Sequence, residues 1–361
     1  MIFRFYRAGS VPASLAVCTA ACLGMLGLAG CVPAGRVPAA AIRLSETRQL
    51  MGVPWTITVH AASAAAGTSA IVAGFAEVAR LEKILSDYDP DSELSRLSAM
   101  APTAAAQPVS DDLWRVLERA VQIRDVTGGA FDPTVGPLTS LWRQARRSGR
   151  LPLAGKLAVA RDAVGPETLR LVPEAREVVL GRPGMRLDLG GIGMGYAVDR
   201  TLEVLGRHGI TAAMVDASGD IAVSAAPPGA LGWKIAVAPL RPDGQRDEQD
   251  RVDPLLLCHA AVTTSGDAFQ AVEISGRRYS HIVDPRTGLG VAGPAAVTVV
   301  APDCTTADAI ATAASVLGPE QSVAAIAATI GCAARFVWME EGVLRHACTP
   351  RWPSQSPQTT D

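Results

Sequence analysis

Leu187-Asp188-Leu189-Gly190-Gly191-Ile192-Gly193-Met194-Gly195-Tyr196-Ala197-Val198-Asp199 is the stretch on which the reading of this chain turns. Four of the six residues from Gly190 to Gly195 are glycine. They stand between a strand-like run, Met185-Arg186-Leu187-Asp188, and a helical pattern from about Gly195 to His208. A loop of this kind, opening a helix directly after a strand, can present unpaired backbone N–H groups to phosphate at the helix's positive end. The glycines do not fall in the GxGxxG order of a dinucleotide-binding Rossmann unit, so that reading of the pattern is discounted.

Outward from this loop, strand and helix signals alternate without a fixed repeat, which predicts a mixed α/β (α+β) fold and no solenoid. The alternation of Trp55, Ile57 and Val59 predicts a strand over Leu50–His60 with one covered face. Helices are expected over Ser69–Ser86 and over Asp111–Val126, the second capped by Ser110 and stopped by Thr127-Gly128-Gly129. A short surface helix pair is expected within residues 141–165, and strands at Val178–Leu180 and Met185–Asp188 around the turn Arg182-Pro183-Gly184. Further strands are expected at Ala213–Asp216, Ile221–Ser224, Ala260–Thr264, Ala271–Ile274, Arg277–Ile282 and Val297–Val300. Two helices follow, over about Thr306–Leu317 and Pro319–Ile330, and then a terminal hairpin. Leu240–Pro254 reads as a polar surface loop, and Pro350 onward as a disordered polar tail.

The N-terminus reads as an export signal. Arg4 and Arg7 precede a charge-free apolar run, Val11 to Leu28, that ends in Leu28-Ala29-Gly30-Cys31. This resembles a lipobox, with residues 1–30 removed, Cys31 lipidated and residues 31–42 a Pro/Ala/Gly-rich tether; multiple acyl chains would hold the protein on a membrane. An uncleaved transmembrane helix is the alternative. With 33 Lys+Arg against 35 Asp+Glu, a net charge of −2 and no basic block, nothing supports nucleic-acid binding. Cys332 and Cys348 flank the expected hairpin and could pair in an oxidising space, or remain free thiols.

Four more segments are rich in carboxylates, hydroxyls and glycine. Ser86-Asp87-Tyr88-Asp89-Pro90-Asp91-Ser92-Glu93-Leu94-Ser95-Arg96-Leu97 reads by itself as a polar turn with a half-buried tyrosine. In Thr127-Gly128-Gly129-Ala130-Phe131-Asp132-Pro133-Thr134-Val135-Gly136-Pro137-Leu138, paired glycines let backbone approach a ligand and Asp132-Pro133 sets the exit turn. Ser280-His281-Ile282-Val283-Asp284-Pro285-Arg286-Thr287-Gly288, preceded by Thr263-Thr264-Ser265-Gly266-Asp267, concentrates reactive side chains. His281 could serve as a base near neutral pH or be structural, while Asp284 and Arg286 read as a turn-stabilising pair. In Thr305-Thr306-Ala307-Asp308-Ala309-Ile310-Ala311-Thr312, Thr305 and Asp308 have capping-box spacing. Asp308 and Thr312, four apart on one helix face, are hard oxygen donors suited to Mg²⁺.

Together these five segments resemble the ApbE family of FAD:protein FMN transferases, with matches running from Met51-Gly52 to Leu317-Gly318. The resemblance implies one large ApbE-like, T-fold-like domain over residues 43–349 with a flavin cleft. It implies FAD contacts at Met51, Tyr88, Ala130, Phe131, Asp132, Asp188, Met194 and Ile282, and Mg²⁺ held by Asp308, Thr312 and a carbonyl near Gly191. The activity implied is transfer of FMN from FAD to a threonine, with release of AMP. The implied acceptors are exported flavoprotein subunits, of sodium-pumping NADH:quinone oxidoreductase or Rnf type, with a Ser/Asp-Gly-Ala-Ser/Thr-type motif, and the catalytic domain would face the periplasm. Two departures stand out: Gly193-Met194 where Ala-Lys is common, and Asp216-Ala217-Ser218-Gly219-Asp220 where Asn-x-Gly-Gly-Asp is usual. An FAD pyrophosphatase and a flavin-binding lipoprotein without turnover are the alternative functions.

Overall fold

Eight strands form an antiparallel sheet whose spatial order follows the chain. They are β1 (Ile42–Leu50), β2 (Val53–Ala61), β3 (Ala212–Ala217), β4 (Asp220–Val223), β5 (Ala260–Gly266), β6 (Ala295–Ala301), β7 (Ala333–Glu340) and β8 (Val343–Cys348). The computed structural model describes residues 41–237, 254–266, 271–292, 295–340 and 343–353. The export signal, Cys31, most of the tether, the core of the 240–254 loop, Asp267 and the tail from residue 354 lie outside the described residues.

Seven helices are described: α1 (Ala64–Leu85), α2 (Glu93–Ala99), α3 (Asp111–Val126), α4 (Gly136–Ser148), α5 (Ala154–Arg161), α6 (Gly193–Arg207) and α7 (Cys304–Ala328). One sheet face buries Trp55, Ile57, Val59, Ala213, Val215, Val297 and Val299 against the apolar sides of α1, α6 and α7. Alternation along a strand puts every second residue on this face, which is why the Trp55-Ile57-Val59 pattern was legible. The opposite face carries a smaller cluster in which Trp233, Ile235, Leu255 and Leu257 of a two-stranded sheet cover Ala212, Val223 and Val262. Trp352 packs against this cluster, so the chain is still part of the fold beyond Pro350.

Several expectations need correction. α1 begins at Ala64, five residues before the expected Ser69, because Ser63 caps it through Ala66 N. Residues 185–188 form no strand: Leu187 N donates to Ser98 Oγ and Asp188 N to the Pro133 carbonyl, so their N–H groups go to loops instead of a ladder. Val178–Leu180 pairs instead with Leu169–Val172 and with Gln107–Pro108. Thr305 and Asp308 form no capping box. Asp303 is the N-cap of α7, accepting from Thr306 N at 2.7 Å. The two expected terminal helices are both present: the span labelled α7 is kinked at Gly318, whose φ of 75° ends the first helix, and the second starts at Pro319. Cys332 and Cys348 are free thiols, the first buried in the core and the second exposed.

Candidate functional site

The glycine-rich loop acquires its shape from close contact with α7. A Cβ at residue 195 would overlap the Cys304 carbonyl, standing 2.7 Å from its carbon and 2.9 Å from Asp308 Cβ. Glycine there lets the first turns of α6 and α7 touch backbone to side chain, and Gly195 N donates to Asp308 Oδ2 at 3.2 Å. That bond satisfies one of the orphan N–H groups of a helix start that has no side-chain cap of its own. Four residues earlier, a Cβ at Gly191 would lie 2.7 Å from Thr312 Oγ1. The loop therefore meets Asp308 and Thr312 together, as their i, i+4 spacing on α7 requires.

A carboxylate from α6 anchors the start of α7. Asp199 accepts from Cys304 N (2.8 Å), Thr305 N (2.8 Å) and Thr305 Oγ1 (2.5 Å). Burial pushes its carboxyl up to about 6 despite these three donors. Beneath, Asp220 at the start of β4 is buried and accepts from Thr263, and burial raises it strongly, with Asp216 adding repulsion. Asp308 is raised for the same reasons, first burial and then the nearby Asp220 charge. Two buried carboxylates close enough to repel, beside a threonine hydroxyl and a glycine backbone, are a hard-oxygen donor set. Among the described residues no three His, Cys, Asp or Glu side chains form a complete metal cage, so a cation here would draw on hydroxyl, carbonyl and ligand oxygens as well.

The loop's other end holds a second constellation. Asp188 Oδ1 accepts from Gly190 N at 2.8 Å, and Oδ2 accepts from Thr139 Oγ1 at 2.7 Å and from Arg143 at 3.2 Å. Arg143 also pairs with Asp87, and its guanidinium carbon stands 4.2 Å from the Tyr88 ring centroid. The Tyr88 side is open: the residue is 76% exposed. Eight residues of chain thus connect the Tyr88–Asp188 corner to Asp308.

The other expected site residues are placed as follows. Met51 occupies a two-residue turn between β1 and β2 with φ of 48°, followed by Gly52 at 77°, the left-handed pair of a type I′ hairpin. Ala130, Phe131 and Asp132 are buried. Asp132 Oδ1 accepts from Thr134 N and Thr134 Oγ1 (2.8 and 2.6 Å), so its side chain is engaged in its own turn, and burial raises its carboxyl. The segment reaches the loop through backbone, by the Pro133 carbonyl bond to Asp188 N (2.9 Å). Met194 packs half-buried at the core's margin.

His281 and Ile282 lie on the strand Arg277–Asp284, which bridges α4 and α7: Ile282 joins the α7 core, and the Ser280 carbonyl accepts from Trp142 Nε1 at 3.0 Å. Asp284 and Arg286 form the expected turn pair at 2.9 Å. Asp216 accepts from Gly219 N (2.9 Å), capping its own turn, while Asp220 supplies the carboxylate near Asp308. The sequence motifs assign no role to Asp199, Asp220 or Arg143. Asp220 ends the quoted Asp216–Asp220 turn and Asp199 the glycine-rich stretch, so both were within reach, but Arg143 carried no signal beyond a helical position.

The scaffold is α+β and packs two helix starts through glycine against buried carboxylates, with an aromatic–guanidinium corner at the other end of the loop. The chain belongs to the ApbE family, whose model matches residues 51–336. It is 34% identical over 245 residues to a FAD:protein FMN transferase of Vibrio cholerae, covering 66% of this chain and 71% of the relative. To the FAD:protein FMN transferase of Treponema pallidum it is 33% identical over 279 residues, 73% of this chain and 75% of the relative. The apo flavinyl transferase ApbE of Pseudomonas stutzeri superposes with a TM-score of 0.74 at 28% identity, covering 86% of this chain and 95% of that one.

Proposed function

We infer that this chain is a Mg²⁺-dependent FAD:protein FMN transferase that links FMN to a threonine hydroxyl of an exported flavoprotein subunit. The observation that supports it best is the loop from Asp188 to Gly195, which joins a corner able to hold a flavin ring to a carboxylate–hydroxyl pair able to hold a metal. FAD would lie along this loop, its ring system beside Tyr88 and its phosphates near the α6 start, where backbone N–H groups and the helix dipole favour anions.

In the reaction the acceptor threonine Oγ attacks the FMN-side phosphorus, the bond to the AMP oxygen breaks, and the threonine proton passes to a base. His281 is the side chain proposed for that proton. The products are an FMN–threonine phosphoester and AMP. The residues present fit a divalent ion: Asp308, Thr312 and a carbonyl near Gly191 would hold Mg²⁺, which when bound would neutralise charge on the phosphate oxygens. Asp220 and Asp199 act behind them, the first adding negative potential beside Asp308 and the second fixing the start of α7. Catalysis by such a site is mostly positioning and electrostatics.

The acceptors proposed are subunits of sodium-pumping NADH:quinone oxidoreductase or Rnf-type complexes, and the enzyme would work on the periplasmic side, lipid-anchored through Cys31. Incubation of the purified protein with FAD, Mg²⁺ and an acceptor-motif peptide tests the reading. A peptide mass gain of one FMN supports transfer; FMN and AMP without a labelled peptide would make it a hydrolase, and unchanged FAD would refute catalysis. For the anchor, metabolic labelling with a fatty-acid analogue should tag the wild-type protein and not Cys31→Ser; equal labelling of both would refute lipidation at Cys31.

A further inference from the structure

The loop described above is held at its Asp188 end by two side chains, Thr139 and Arg143, and the arrangement around the arginine is more specific than packing requires. Arg143 sits on α4, one turn after Thr139, and both donate to the same oxygen of Asp188. Its second arm pairs with Asp87, the neighbour of Tyr88, and its guanidinium carbon lies over the Tyr88 ring. Three elements far apart in sequence thereby converge on one guanidinium: the 86–97 turn, α4 and the glycine-rich loop. Of the two carboxylates it bridges, Asp188 is buried and Asp87 partly so, and they repel one another; burial first, and then the Asp188 charge, raise Asp87. A planar guanidinium can donate to two carboxylates and stack on a ring at the same time, whereas an ammonium is a point charge that cannot do both.

We propose that Arg143 is the positioning residue of the flavin cleft: it locks the Tyr88 ring plane and the Asp188 carboxylate into one ligand-ready arrangement, so that FAD meets a preformed corner. The proposal rests on the functional reading above. Tyr88 is largely exposed, and the Arg143 guanidinium lies over its ring, so the arginine is placed to set the ring's orientation. Preorganisation of this kind lowers the ordering cost of binding and therefore acts on FAD affinity more than on the chemical step.

The test is FAD binding and steady-state transfer by the full chain carrying Arg143→Lys, Tyr88→Ala, or both. Arg143→Lys keeps the charge and the aliphatic stem. It should raise Kd and KM for FAD about tenfold while kcat changes less than about threefold. Because Arg143 acts through Tyr88, the double variant should bind FAD more tightly than the product of the two single effects predicts. Wild-type affinity in Arg143→Lys, or effects that multiply in full, would overturn the proposal, as would a fall in kcat with KM unchanged. Should Arg143→Lys fail to fold, Asp87→Asn, which frees one arm of the guanidinium, carries the same expected rise in KM. A wild-type chain that binds no FAD would overturn the functional reading and this proposal with it; a wild-type chain that binds FAD beside an equally competent Arg143→Lys overturns this proposal alone.

Discussion

Replacing Gly195 by alanine strikes the contact on which the site depends. The added methyl would overlap the Cys304 carbonyl and press on Asp308 Cβ at 2.9 Å, and the first of these is backbone that cannot rotate away. The helix start of α6 must then retreat from α7, at an overpacking cost of about 1–3 kcal/mol. Retreat also breaks the bond from Gly195 N to the Asp308 carboxylate, worth about 1.5–3 kcal/mol for a charged acceptor. Alanine's better helix propensity returns about 1 kcal/mol, leaving a net loss of about 2–5 kcal/mol. Gly206, on the same helix, has open space around its would-be Cβ, so Gly206→Ala should be neutral or stabilising by up to about 1 kcal/mol. Urea unfolding of the two variants beside wild type gives the comparison, read as a shift in midpoint at constant slope. A Gly195→Ala protein with the wild-type midpoint, or a Gly206→Ala protein destabilised as much, would refute the claim that close approach of α6 and α7 is what demands glycine here.

Other consequences follow from the same contacts. Asp308→Ala should abolish FMN transfer and any FAD hydrolysis, and chelation with EDTA should do the same reversibly; full activity of the variant in the peptide assay would remove Asp308 from the metal site. Asp199 has a folded pKa of about 6 against an ordinary 3.8, so the native state holds its proton more tightly than the unfolded chain. Its contribution is most favourable below about pH 4 and is lost as pH rises through 6, by about 3 kcal/mol in all; stability–pH curves for Asp199→Asn should lack that descent. Trp142→Phe leaves the buried Ser280 carbonyl without its donor and should cost about 1–3 kcal/mol in thermal or urea unfolding. Asp303→Ala removes the true cap of α7 and should cost about 1 kcal/mol, which a melting curve unchanged from wild type would contradict.

Most elements were legible because their causes are local. The Trp55-Ile57-Val59 alternation specifies β2, and Ser110 with Thr127-Gly128-Gly129 brackets α3 within a residue, since period and caps are properties of neighbours in the chain. That Asp308 and Thr312 share a face of α7 was legible for the same reason: four-residue spacing on a helix puts two side chains on one face whatever the helix packs against. The failures lie where a group's partner is distant. Residues 185–188 look like a strand, yet their N–H groups find Ser98 and Pro133 in place of a ladder. Thr305 and Asp308 have the spacing of a capping box, yet the Thr305 hydroxyl bonds Asp199 from another helix, and Asp303 does the capping.

The glycine-rich loop shows the division most clearly. Its composition announces a backbone that can approach something closely, because glycine carries no Cβ, and that much is written in residues 190–195. What it approaches is the Cys304 carbonyl and the hydroxyl of Thr312, more than a hundred positions along the chain. Arg143 is the extreme case: a helical arginine with nothing local to mark it, given its place by two carboxylates and a ring from separate segments. Chain-local rules encode backbone conformation and which face is apolar; which charges meet depends on how α4, α6 and α7 pack, and that packing is a property of the whole core.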